Sequence, residues 1–347
     1  MSIPSIKDVA KLAGVSTATV SRVINSPEQV REATRLKVQE AIRNSDYSPN
    51  TLARDFRRGS TNIIIVVVPK VGDPFFSAIM RGIRNAARTE GYSILIREAA
   101  GSEMGPDEIS SLVVSRQADG IILLASVSPF GTEILSERSN RRLPIVIGCE
   151  TMSPDLSDFP SVHINNVLAA RDATDYLISQ GHTKIGFIYG EKQSLLTADR
   201  ELGYRAAMRD AGLDVEEGWV AEGRMTIQGA EHAARHLINH QNPPTAIFCA
   251  NDEMAMGCIH ELKSSGIRVP EDISVMGFDD IRYAEVMDPP LTTIAQPALE
   301  IGERVVYRLV KEINRKPEAG KESKAIAKPE VVPHKLIVRS SVTKHRH

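Results

Sequence analysis

The chain has 347 residues, of which 42% are hydrophobic and 25% charged, with 42 basic and 44 acidic side chains and a net charge of −2. This composition belongs to a globular protein of two or three bodies, and it excludes a collagen-like, wholly disordered or disulfide-scaffold chain. The longest aliphatic run, Ile63–Val68, is far short of the ~20 residues of a membrane-spanning helix, and the start MSIPSIKDVAK lacks the apolar core of a secretory signal. No membrane partner is expected, and a cytoplasmic setting is expected. Cys149, Cys249 and Cys258 are odd in number and sit in apolar stretches, which reads as buried reduced thiols.

Charge is unevenly shared. Met1–Ser60 holds ten basic and six acidic residues, so the excess of acid lies entirely in the remainder. A basic head on an acidic body points to a polyanion at one end only. In that head Ile6, Val9, Ala10 and Ala13 form one apolar stripe of a two-turn helix, stopped by Gly14. Ser16 offers an N-cap to a second helix whose inner face is Val20, Val23 and Ile24. Its outer face, Thr17, Ala18, Ser21 and Arg22, is small, hydroxylic and basic. A third helix is expected over Arg31–Ser45, with Val38, Ala41 and Ile42 inward. Two short helices about a glycine turn, closed by a third, make a helix-turn-helix, and such an outer face fits a major groove. A three-helix bundle serving only for packing is the alternative.

The stretch IKDVAKLAGVSTATVSRVIN (Ile6–Asn25), continued by YSPNTLARDFRRGS (Tyr47–Ser60), strongly resembles the head and hinge of the LacI/GalR family of bacterial transcription repressors. The resemblance extends along nearly the whole chain, and the wording of DPFFSAIMRGI, PTAIFCANDEMAMG, GFDD and DPPLTTIAQP is closest to a nucleoside-responsive member. It implies a helix-turn-helix domain over 1–48, a hinge helix or linker over 49–60, and an effector-binding, dimerising body over 61–347. It further implies a homodimer on a double-stranded operator, in the bacterial cytoplasm and associated with the nucleoid. Thr17, Ala18, Thr19, Ser21, Arg22, Asn25 and Thr34 would meet DNA from the head, with Arg35 or Lys37 on phosphates. Asn50, Ala53 and Phe56 would do so from the hinge, where Phe56 occupies the position of a leucine that wedges between base pairs in the family.

From Asn62 short β-rich runs alternate with amphipathic stretches. Strands are expected at Ile63–Val68, Ser93–Ile96, Gly120–Leu124, Ile145–Gly148, Lys184–Tyr189, Thr245–Ala250 and Ile273–Phe278. Helices are expected at Phe76–Glu90, Asp107–Arg116, Leu168–Gln180, Arg200–Ala211, Gly229–Asn239 and Glu253–Gly266. The alternation predicts two doubly wound parallel α/β lobes with a crevice between them, a periplasmic-binding-protein-like body. The resemblance implies the crossings: lobe 1 over about 61–162 and 294–318, lobe 2 over about 163–293 and 330–340. DPPLTTIAQP (Asp288–Pro297) reads as a strap between lobes and Asn314–Pro333 as a solvated loop.

No phosphate-binding loop, dinucleotide fingerprint, nucleophile elbow or C-x-x-C occurs, so neither an enzyme nor a cofactor is expected. His232, His236 and His240 recur every four residues; an exposed polar helix face is the expectation, against adventitious metal binding. The resemblance implies an effector between the lobes, held by Phe75, Phe76, Cys149, Arg200, Met225, Asn251 and Asp279. An aromatic face suits a flat ligand, and an arginine fork with a carboxylate suits vicinal hydroxyls. Bland alternatives are core packing for Phe75 or Phe76, a helix cap for Asp279 and a surface charge for Arg200. Members often carry an aromatic where this chain has Met225, which disfavours a purine sandwich. A pyrimidine nucleoside such as cytidine is therefore the first expectation, then a purine, then a sugar; a plain solute-binding protein is the remote alternative.

Overall fold

The structure is a computed structural model that describes residues 4–45, 47, 60–99, 117–124, 144–149, 159–192, 194–315 and 329–345, the side chain of Asn25 excepted. The expected hinge with Asn50, Ala53 and Phe56, the expected helix at Asp107–Arg116 and most of the Asn314–Pro333 loop lie outside the described residues. The chain divides into two compact units, residues 1–61 and 62–347.

The first unit holds α1 (Ile6–Ala13), α2 (Thr17–Asn25) and α3 (Glu32–Asn44), with a single 3-10 turn at Pro27–Gln29. Gly14 ends α1 at φ +66°, where a Cβ would be strained. Ser16 caps α2, its Oγ accepting from the Thr19 N–H at 3.2 Å. Val9, Ala10, Val20, Val23, Val38 and Ala41 form the core, with Ile6, Ala13, Ile24 and Ile42 packed at its margin. An N-terminal cap escaped the sequence reading: the Asp8 carboxylate accepts from both the backbone N–H and the hydroxyl of Ser5, at 2.9 and 2.7 Å.

The second unit is built on two six-stranded sheets. In chain order its elements are β1 (Ile63–Val68), α4 (Pro74–Thr89), β2 (Ser93–Glu98), β3 (Gly120–Leu123), β4 (Ile145–Gly148) and β5 (Ser161–His163). These are followed by α5 (Asn166–Ser179), β6 (Ile185–Tyr189), α6 (Leu195–Asp210), β7 (Val220–Glu222), α7 (Ile227–Ile238), β8 (Ala246–Cys249) and α8 (Asp252–Ser264). The last are β9 (Ser274–Asp279), β10 (Thr292–Ala295), α9 (Ala298–Ile313), β11 (Glu330–Val331) and β12 (Lys335–Ile337).

The first sheet runs β11-β5-β4-β3-β1-β2 and the second β12-β10-β9-β8-β6-β7. All pairings are parallel except β10 with β12. β1 is an unbroken aliphatic run because it sits between two parallel neighbours and is buried on both faces.

Three crossings join the sheets: Ile164–Asn165, Gln296–Pro297 and Val332–His334. The third returns the chain from β11, in the first sheet, to β12 in the second. The second delivers α9 onto α4, where both helices approach to backbone contact. A Cβ on Gly82 would lie 2.1 Å from the Leu299 carbonyl oxygen, and one on Gly302 2.2 Å from that of Ile79.

Here the structure corrects the sequence reading. Asp288–Pro297 is not all strap: Thr292–Ala295 form β10, paired in register with β9, and only Gln296–Pro297 cross. The flanking prolines obscured a β-branched run that is fully buried from Thr292 to Ile294. Residues 294 and 295 therefore belong to the second sheet, and Glu330–Val331, assigned above to lobe 2, pair with β5 in the first. The short strands β5, β7 and β11 also went unread, each holding only two or three residues.

Candidate functional site

In the head, Thr17, Ala18 and Arg22 are exposed on the outer side of α2, whereas Thr19, Ser21 and Thr34 are half-buried. Asn25 is the last residue of α2. Thr19 is partly consumed by the cap, its hydroxyl lying 3.0 Å from Ser16 Oγ. Arg35 faces Glu32 at 3.8 Å, leaving Lys37 as the more exposed of the two expected phosphate contacts. The face is shallow: side chains no longer than Thr flank a single long cation, which lets the helix backbone approach a groove while Arg22 extends.

In the body, one cavity of about 620 Å³ lies among strand ends. Its walls follow the C-terminal ends of parallel strands in both sheets. Pro69, Lys70, Asp73, Phe75 and Phe76 follow β1, Glu98 ends β2 with Ala99 next to it, and Cys149 follows β4. From the second sheet, Glu191, Ser194, Leu196 and Arg200 follow β6, and Arg224, Met225 and Thr226 follow β7. Asn251 follows β8, Asp279 ends β9 and Gln296 follows β10. Ligands of open α/β sheets bind outside these ends, where connecting loops diverge. All seven residues expected at the effector site line this one cavity.

The two phenylalanines divide their work. Phe75, 7% exposed, joins the hydrophobic core, while Phe76 is half-buried. Their rings meet edge to face, centroids 5.4 Å apart at 68°. Asp73 sets both by capping α4, its Oδ1 accepting from the Phe75 N–H at 2.8 Å. Burial raises the Asp73 carboxyl above its ordinary value, with backbone N–H groups pulling it back.

Arg200 is no surface charge. It is 2% exposed, and its guanidinium lies 3.7 Å above the Phe278 ring. Nε donates to Asn166 Oδ1 at 3.1 Å, Nη1 donates to the Ala250 carbonyl oxygen, and Nη2 lies 3.6 Å from Asp279 Oδ1. Most of the fork is thus spent on the protein, and what faces the cavity is an arginine–carboxylate unit.

Asp279 caps no helix, since the next element after β9 is the strand β10. Its Oδ1 accepts from Gln296 Nε2 at 2.7 Å. Burial pushes its pKa up to about 7; Arg200 opposes that rise, and the carboxylate of Asp73 adds to it. Burial also raises Glu253, and the Asp73 charge contributes there too. Carboxyl groups from both lobes thus raise one another's pKa here, at walls that also carry Lys70, Arg200 and Arg224.

Strain collects in the same place. Cys149, Arg224, Met225 and Asp279 have φ of +71°, +55°, +52° and +110°, and Asp280 next to them has +54°. Left-handed backbone in side-chain-bearing residues persists where surrounding structure over-determines it, typically at ligand sites. Met225 lies on Gly190, where a Cβ would come within 2.4 Å of its methyl carbon. Asn251 caps α8, its Oδ1 accepting from the Met254 N–H at 2.8 Å, which leaves its amide nitrogen for a ligand.

Gln296, Asp73, Glu191 and Arg224 were not anticipated as cavity residues. A glutamine directly before the proline that opens α9 was the available signal for Gln296. Its amide nitrogen is held by Asp279, and its Oε1 is buried without a partner. The histidine series gathers no metal site. His232 and His236 are exposed, His240 lies beyond the end of α7 beside Asn242, and no metal-holding cluster occurs among the described residues. Cys149, Cys249 and Cys258 are all buried and none is in a disulfide. No helix among the described residues is long and apolar enough to cross a membrane.

Residues 5–50 match the family model for bacterial regulatory proteins of the lacI family, and residues 174–342 match that for a periplasmic binding protein-like domain. The chain is 41% identical over 306 residues to the HTH-type transcriptional repressor CytR of Escherichia coli (strain K12), covering 88% of this chain and 89% of that one. It is 36% identical over 315 residues to the ribose operon repressor of the same organism, covering 90% and 93%. Its structure is similar to that of the lac repressor dimer bound to operator and the anti-inducer ONPF. The TM-score is 0.85 at 25% identity, with 99% of this chain and 100% of that chain covered.

Proposed function

We propose, from the premise that this chain belongs to the lacI family of bacterial regulatory proteins, that the effector governing its hold on DNA is a nucleoside, cytidine before others. The chain is a DNA-binding transcriptional repressor modulated by a small ligand, and not an enzyme. What carries the nucleoside reading is the make-up of the cavity between the sheets. It offers Phe76, the more exposed of its two rings, for a base, and the Arg200–Asp279 unit with Asn251 for ribose hydroxyls. Met225 in place of a second ring favours the smaller pyrimidine, stacked on one face.

Asp73, Glu98, Glu191 and Asp279 outnumber Lys70, Arg200 and Arg224 at the walls, which favours a neutral, hydroxyl-rich ligand over a phosphorylated one. The likeness to CytR supports cytidine, and the likeness to the ribose operon repressor keeps a free pentose as the second reading.

On the DNA side, Arg22 reads a guanine edge from α2 with Thr17, Ala18, Thr19, Ser21 and Asn25 along the same surface, while Thr34 and Lys37 act on the backbone. Asn50, Ala53 and Phe56 enter the minor groove from the hinge. Because one short half-site discriminates poorly, the repressor works as a homodimer on a paired operator, in the bacterial cytoplasm.

The test is a gel shift on DNA upstream of its own gene, joined to calorimetric titration with cytidine, uridine, adenosine, ribose and cytidine 5′-phosphate. Cytidine should bind most tightly and change operator affinity. Ribose binding better than any nucleoside would transfer the assignment to sugars.

A further inference from the structure

One fully buried carboxyl belongs to no wall of the cavity, yet it touches three elements that form it. Asp252, the first residue of α8, is 0% exposed. Its Oδ2 accepts from the Ile281 N–H at 2.8 Å, and its Oδ1 accepts from the Thr293 hydroxyl at 2.6 Å. It also lies against β9, where a Cβ on Gly277 would fall 2.2 Å from Oδ1, so this close approach requires glycine.

Each element held in this way presents one cavity residue. The residue before Asp252 is Asn251, the pinned turn carries Asp279, and Gln296 directly follows β10, the strand of Thr293. The pinned turn is also the strained one, since Asp279 and Asp280 both have positive φ immediately before Ile281.

We propose that Asp252 is a positioning residue for the effector site, holding Asn251, Asp279 and Gln296 in mutual register by tying α8, the turn after β9, and β10 to one side chain. The inference rests on reading the inter-lobe cavity as the effector site. Packing alone does not account for a carboxyl here. A buried charged group is costly, and Asp252 has no basic partner among the described residues. Its charged neighbours, Asp279 and Asp280, are acidic, and burial first and those charges second raise its carboxyl well above the ordinary range.

The two contacts ask for one oxygen that accepts from the Ile281 N–H and a second polar atom facing the Thr293 hydroxyl, which can donate or accept. An asparagine reproduces that donor and acceptor pattern; an alanine supplies neither and leaves the Ile281 N–H orphaned.

The experiment compares the full-length chain with Asp252→Asn, Asp252→Ala and Thr293→Val. Each is titrated with cytidine, tested for operator binding without ligand, and followed by hydrogen exchange over residues 277–283. Asp252→Ala should weaken cytidine binding by about tenfold or more and speed exchange at Ile281, with ligand-free operator affinity retained. Asp252→Asn should stay within about threefold on both measures, and Thr293→Val, which loses one contact, should fall between. A purely structural role would lower melting temperature without this ordering. If Asp252→Ala does not fold, Asp252→Asn and Thr293→Val decide by the same ordering. Cytidine affinity and Ile281 protection unchanged in Thr293→Val and Asp252→Ala, or Asp252→Asn as impaired as alanine, would overturn the proposal. If the unmodified chain binds no nucleoside or pentose, the effector reading fails by itself, and the exchange ordering alone sustains or overturns the role of Asp252.

Discussion

Replacing Asp279 by Asn should change how stability and effector binding depend on pH. In the folded chain the carboxyl titrates at about 7, against an ordinary value of 3.8, with burial as the main cause. Between those two values the folded state retains a proton that the unfolded chain has released. Stability therefore falls as pH rises from about 4 to about 7, and is flat outside that window for this group. A displacement from 3.8 to about 7 corresponds to about 4 kcal/mol at most. Asparagine carries no such titration. Subtracting urea-unfolding free energies of the variant from those of the parent, measured from pH 4 to 8, cancels the groups they share. The difference should drift against the parent by up to about 4 kcal/mol across the window.

Ligand hydroxyls donating to Asp279 favour its ionised form, so cytidine should bind better at pH 8 than at pH 6 and release protons near pH 7. Calorimetry in buffers of different ionisation enthalpy reads that release. Parallel stability curves for parent and variant, together with pH-independent cytidine binding, would refute this account of Asp279.

Arg200→Ala removes a guanidinium stacked on Phe278 and leaves Asp279 without its cation, so it should cost about 3–5 kcal/mol in urea unfolding as well as abolish the ligand response. Arg22→Ala should cost about 1–3 kcal/mol per half-site and relax preference at one base pair, read by gel shift on a set of substituted operators. Phe56→Ala should weaken operator binding and reduce DNA bending together, most at sites with a central pyrimidine–purine step; a circular-permutation gel measures both. Cytidine 5′-phosphate should bind at least tenfold more weakly than cytidine by calorimetry, since a phosphate about 6 Å from one cavity carboxylate costs roughly 2–3 kcal/mol at an effective dielectric near 20.

The head was legible because its elements are fixed locally. Gly14, Ser16 and the 3.6-residue spacing of Val20, Val23 and Ile24 each act within a turn or two of chain, and the structure places them accordingly. Long buried strands such as Ile63–Val68 were legible because burial on both faces writes itself as an unbroken apolar run. β10 was not, because its membership of the second sheet depends on pairing with β9 and β12, which are separated from it by loops the periodicity does not describe. The seven cavity residues came from family resemblance at strand ends, and the structure gathers them. The commitment of Arg200 to Asn166 and Ala250 could not be read, since those partners lie 34 and 50 positions away. Asp73 and Gln296 were missed for the same reason: a cap residue and a crossing residue look local until the second lobe supplies the other side of the cavity.

That two-sided construction explains how a small ligand can act at a distance. Phe76, Asp73 and Cys149 come from the first sheet, Arg200, Met225, Asn251 and Asp279 from the second, and Gln296 lies on a crossing between them. The arrangement carries a buried polar atom without a partner, Gln296 Oε1, and it sets the carboxyl of Asp73 against that of Asp279. Each unmet polar group costs about 1–3 kcal/mol. A ligand that brings hydroxyl donors between the lobes offsets part of that cost only where the lobes hold both walls against it. Its affinity therefore differs between lobe arrangements, and that difference alone can alter the hold on DNA. A coupling of about 1–3 kcal/mol, the usual size for such systems, is within what one or two satisfied groups at this cavity can supply.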